Sequence, residues 1–101
     1  SAAPSGAGTI LRSNYSDGAS QFMLLLQRPA PELNSYLADS DITNITSVHD
    51  ALCGTYEKQQ KPVCARVIDK TVIMVMGLDG QNNETLADLI KSAYNTIKKQ
   101  Q

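Results

Sequence analysis

The chain has no surplus of positive charge, no long apolar run and few groups able to do chemistry. Each shortage narrows the range of function. Nine Lys and Arg stand against ten Asp and Glu in 101 residues, for a formal net charge of -1. A non-specific nucleic-acid binder needs a basic surplus to displace counterions from phosphates, so the composition offers no case for that class. The longest apolar runs, residues 22–26 and 72–76, are strand-sized. They fall far short of the roughly 20 residues that span a bilayer as a helix.

Reactive side chains are equally sparse. The chain contains one His and two Cys. Its carboxylates are scattered, and no spacing marks a catalytic pair. Asp39-Ser40-Asp41 lacks the glycine and terminal Glu of a calcium loop. Gly77-Leu78-Asp79-Gly80 lies between a strand and a helix, where phosphate loops occur, but lacks their lysine and glycine spacing. We therefore expect no enzyme, no metal and no cofactor.

What is present is a cysteine pair, Cys53 and Cys64. An even count in a chain this short points to a disulfide, and a disulfide points to an oxidising compartment. Such a bridge restricts the unfolded chain and contributes about 3 kcal/mol if unstrained. One other grouping bears on chemistry. On a helix, His49 and Cys53 would share a surface, being four residues apart. With Cys64 nearby they would suit a metal site or a Cys/His nucleophile. The metal site lacks a fourth ligand beyond the adjacent Asp50, and the nucleophile lacks an orienting group.

The pattern along the chain predicts its organisation. Residues 1–8, SAAPSGAG, hold no charge and no large apolar group. They read as a frayed terminus or a flexible tether, the latter suiting a lipid-anchored protein. Residues 9–101 read as a single domain. Alternation over 9–15 and an apolar run over 21–27 flank Asp17-Gly18, a strong hairpin signal. Pro31 and Glu32 suit the first turn of a short helix whose apolar face is Leu33, Tyr36 and Leu37. Thr46 or Ser47 would cap a second helix with Val48, Ala51, Leu52 and Tyr56 on one face. Residues 63–68 and 71–78 form two strands about a tight Asp69-Lys70 turn. The latter is apolar on both faces, as befits the middle of a covered sheet. Asn82 or Asn83 would cap a final helix with Leu86, Leu89, Ile90, Ala93, Tyr94 and Ile97 at helical spacing.

The expected order is β-β-α-α-β-β-α, an α+β domain with a four-stranded antiparallel sheet and helices packed on it. Short helices would leave part of the sheet bare. Phe22, Leu24, Met74 and Met76 are the residues expected on that exposed apolar surface. Methionines there would suit adaptable recognition of a partner.

The function read from these features is a non-catalytic extracytoplasmic protein-binding or adaptor domain, periplasmic or secreted. Its most concrete form is a tethered periplasmic lipoprotein accessory subunit, binding another protein or a second copy of itself. A secreted effector or a toxin-neutralising (immunity) protein is an alternative. A thiol-redox or metal-dependent enzyme built on Cys53, Cys64 and His49 is another. Three Asn-X-Ser/Thr triplets begin at Asn14, Asn44 and Asn83 and match the glycosylation pattern of secreted eukaryotic proteins.

Overall fold

The computed structural model describes residues 9–16 and 21–99, with side chains over 21–95. The expected tether at 1–8 and the Asp17-Gly18 turn lie outside the described residues. Eight elements follow in the order β1 (Thr9–Ser16), β2 (Gln21–Arg28), α1 (Leu33–Asp39), β3 (Ile42–Val48), β4 (Ala51–Tyr56), β5 (Lys61–Ile68), β6 (Thr71–Gly77) and α2 (Asn83–Lys99). The class is α+β, as the sequence predicts. The sheet is larger than expected, with six antiparallel strands in the order β1-β2-β6-β5-β4-β3.

The difference lies in residues 42–56. The sequence predicts a second helix that starts at Thr46 or Ser47 and carries Val48 to Tyr56 on one face, and the structure has the β3–β4 hairpin instead. Val48, Ala51, Leu52 and Tyr56 do fall at helical spacing. The surrounding residues favour a strand: Ile42, Thr43, Ile45, Thr46 and Val48 are β-branched and lose side-chain freedom in a helix. His49 and Asp50 both adopt positive φ, 47° and 69°, which is the left-handed pair a tight two-residue hairpin requires. Asp69 and Lys70, with φ of 49° and 64°, make the same kind of turn between β5 and β6, as expected from the sequence.

Gly54 fits the hairpin for a steric reason. A Cβ at this position would lie 2.5 Å from the Thr43 carbonyl oxygen and 2.8 Å from the Ile42 side chain. The register of β3 on β4 shifts between Thr43 and Thr46, and Asn44 in this bulge has φ of 56°. The glycine that would weaken a helix here admits the backbone of the neighbouring strand.

Strands β3 to β6 form a continuous meander, and the β1–β2 hairpin joins it through β2 and β6. In that junction Met23 lies opposite Met76, Leu24 opposite Val75 and Leu25 opposite Met74. The β6 strand is buried on both sides, with Val72, Ile73 and Val75 at 0–2% exposure, in keeping with its unbroken apolar sequence.

A helix covers each face. On one face α2 packs Leu86, Ala87 and Ile90 against Cys53, Cys64, Ile73 and Val75. Asn82 caps α2, its Oδ1 accepting from the Thr85 N–H at 2.8 Å. On the other face Leu37 of α1 joins Ile42, Val63, Ala65, Val72 and Met74. This helix starts two residues later than Pro31 suggests. Glu32 caps it, its carboxylate accepting from Asn34 N–H at 2.7 Å and Ser35 N–H at 3.2 Å. The Asn34 amide, then the Ser35 hydroxyl and amide, hold the Glu32 carboxyl below the usual glutamate range.

Candidate functional site

The two cysteines form a disulfide, with Sγ atoms 2.04 Å apart. Its setting differs from the helix-to-strand bridge that the sequence suggests. Cys53 on β4 and Cys64 on β5 lie directly opposite each other in neighbouring strands. Both residues are fully buried beneath the start of α2, where Cys64 Sγ lies 3.2 Å from the Asn83 carbonyl oxygen. A disulfide sulfur carries no proton, so this is a packing contact rather than a hydrogen bond.

His49 does not join the cysteines. The helical relation to Cys53 vanishes with the helix, because four residues along a strand span about 13 Å. His49 sits instead at the tip of the β3–β4 turn, where its Nδ1 lies 2.9 Å from Asp88 Oδ1 on α2. This exposed pair ties the hairpin tip to the helix. Among the described residues no three His, Cys, Asp or Glu side chains gather closely enough to hold a metal ion. No described helix is long and apolar enough to cross a membrane.

The four residues expected on one apolar surface are divided between two. Side chains alternate along a strand, so the register that sets Leu24 opposite Val75 and Met23 opposite Met76 separates them. Phe22 and Leu24 face α2 and pack against the disulfide-bearing core. Met74 and Met76 face the opposite way, toward α1. Each pair lines a different recess.

The recess on the α1 face is the larger, a groove of about 520 Å³. Its floor is Leu25, Met74 and Met76, at 7–8% exposure. Half-buried Met23, Tyr36 and Tyr56 form its walls. All three methionines of the chain therefore meet in one place. The groove exists because α1 is only seven residues long and packs toward β3 and β5, covering the β2–β6 junction only in part. Lys58 and Asp41 pair across its rim at 3.3 Å. The other recess, of about 250 Å³, opens between α2 and the β2–β6 junction.

Leu25, Tyr36 and Tyr56 are groove residues that the sequence does not mark for binding, whereas Met23 is one of the three strand methionines that suggest a recognition patch. Period-two alternation through residues 21–27 places Met23 and Leu25 together, away from Phe22 and Leu24. The remaining information, which face of β2 meets which face of β6, lies in a register between residues at least 45 positions apart, from Gln27 opposite Val72 to Phe22 opposite Gly77.

Of the three Asn-X-Ser/Thr triplets, Asn44 is exposed in the β3 bulge, while Asn83 turns its Oδ1 inward without a hydrogen-bond partner. The Asn14 side chain is outside the described ones. No family model, no curated protein and no solved structure matches the chain.

Proposed function

We propose that this chain is a non-catalytic protein-binding domain that works outside the cytoplasm, as an adaptor or accessory subunit. The methionine groove on the α1 face carries the reading. Methionine is unbranched and polarizable, and a surface built from it adapts to differently shaped apolar segments. Tyr36 and Tyr56 add large amphipathic walls of the kind enriched at interfaces. The groove would take a short apolar segment of a partner protein, anchored against Met74 and Met76 with Met23 folding over it.

The disulfide supports the compartment part of the proposal, since such bonds persist in oxidising surroundings. Periplasmic and secreted settings both fit, as does attachment through a lipid tether. Burial of both sulfurs and the separation of His49 from them weigh against the thiol-enzyme alternative, because a reactive thiol needs access and an activating neighbour.

The test places a photo-crosslinking residue at position 23, at the groove wall, and at position 67. Among the described residues Val67 is the exposed large apolar side chain, at 40% exposure, and serves as the control. A discrete adduct of reproducible mass from position 23 alone supports the proposal, including an adduct of twice the chain mass. Equal labelling from both positions, or none from position 23 in the native host compartment, refutes it.

A further inference from the structure

We propose that the recess between α2 and the sheet is a binding site for a small, uncharged apolar molecule of roughly ten non-hydrogen atoms. It is separate from the methionine groove and does not depend on the function proposed for that surface. Its floor is Ile73, Val75 and Ile90, at 1–2% exposure. Half-buried Phe22, Leu24 and Ala93 surround its mouth.

Three features point to this ligand class. The first is where the helix sits. α2 lies chiefly over β5, with β4 and β6 to its sides, so the β2 side of the junction opens under the helix flank. The second is Ala93. Leu86, Leu89 and Ile90 occupy the preceding positions of the inward face, and a methyl group at position 93 leaves space that a larger residue would fill. The third is the lining, whose named side chains carry no polar atom. An ordered water needs two to four polar partners, which these side chains do not offer, and an apolar cavity of about 150 Å³ admits benzene. By that scale a recess of about 250 Å³ takes a bicyclic aromatic or a medium-length alkyl chain. A charged ligand is disfavoured because its charge would have no partner among the described lining side chains. Ligands of this size, held by apolar contact alone, bind with dissociation constants on the order of 10 to 100 µM.

The experiment titrates naphthalene and, separately, n-octanol into the whole chain, following side-chain methyl resonances by NMR. Saturable shifts centred on Ile73, Val75 and Ile90 are expected from at least one probe. Ala93→Leu should weaken that binding tenfold or more while the backbone spectrum stays native. Should Ala93→Leu fail to fold, Leu24→Phe fills the same space from the opposite wall and carries the same expectation. Saturation by naphthalene alone marks an aromatic site, and saturation by n-octanol alone an alkyl site. The proposal is overturned if neither probe saturates, if the shifts centre on the Met74 and Met76 methyls, or if affinity survives the filling substitution.

Discussion

Replacing both cysteines with alanine gives the most informative perturbation of this domain. The bridge closes a segment with a sequence separation of 11, for which the chain-entropy relation gives about 3 kcal/mol at 25 °C. Both residues are fully buried, so trimming each to alanine also removes packed atoms, at about 1 kcal/mol per site. The total, about 4 to 5 kcal/mol, is a large share of the 5–15 kcal/mol typical of whole domains. For a chain of this size it lowers Tm by roughly 20 °C or more.

Urea unfolding followed by far-UV circular dichroism measures both parts. The chain-entropy argument places most of the effect in the unfolded state, so removing the cross-link should also raise the urea m-value as that state expands. Unfolding of the unaltered chain with a reducing agent should recover the entropic portion and leave the packing portion intact. A loss of under about 1.5 kcal/mol in the double variant, with m unchanged, would refute this reasoning and assign the bridge a negligible role in stability.

Three further outcomes test particular contacts. Gly54→Ala should destabilise by about 2 to 3 kcal/mol in urea unfolding, because its Cβ collides with main chain that cannot move without breaking the β3–β4 ladder. Asn82→Ala should cost about 1 kcal/mol through loss of the α2 cap, measured the same way. The Glu32 carboxyl should titrate below ordinary glutamates by carbon NMR. Its folded pKa is depressed, so its contribution is complete above the normal glutamate range and disappears as pH falls through the lowered value. Glu32→Gln should remove that acid-side dependence.

The sequence shows much of the fold because several segments agree with their surroundings at every level. The doubly apolar run at 72–76 is the central strand, the Leu86–Ile90–Ala93 spacing is α2, and Asp69-Lys70 is a tight turn. Residues 46–56 mislead because the spacing of Val48, Ala51, Leu52 and Tyr56 satisfies a helix, while the branched side chains there and in the preceding residues 42–45 favour strands. In that segment the tertiary partner decides. Gly54 is informative only once β3 is known to lie against it. The candidate site is less legible for a related reason. Cys53 and Cys64 can be paired by counting, and the structure pairs them. The methionines converge through a register between β2 and β6, which no local pattern encodes, and Phe22 and Leu24 fall on the opposite side for the same cause.

The attachment of the β1–β2 hairpin to the meander through β6 alone has a consequence for how the molecule comes apart. Strands β3 to β6 are each linked to the next by a short connection and are stapled across β4 and β5, so they can hold together as one cooperative unit. The hairpin makes its sheet contact through a single ladder, and releasing it breaks no other strand pairing. Partial unfolding should therefore begin at the β2–β6 seam, with amide hydrogens in β2 exchanging before those in β5. Both recesses straddle that seam, on opposite sides of one sheet. An occupant of either would clasp the two units together and slow the same opening.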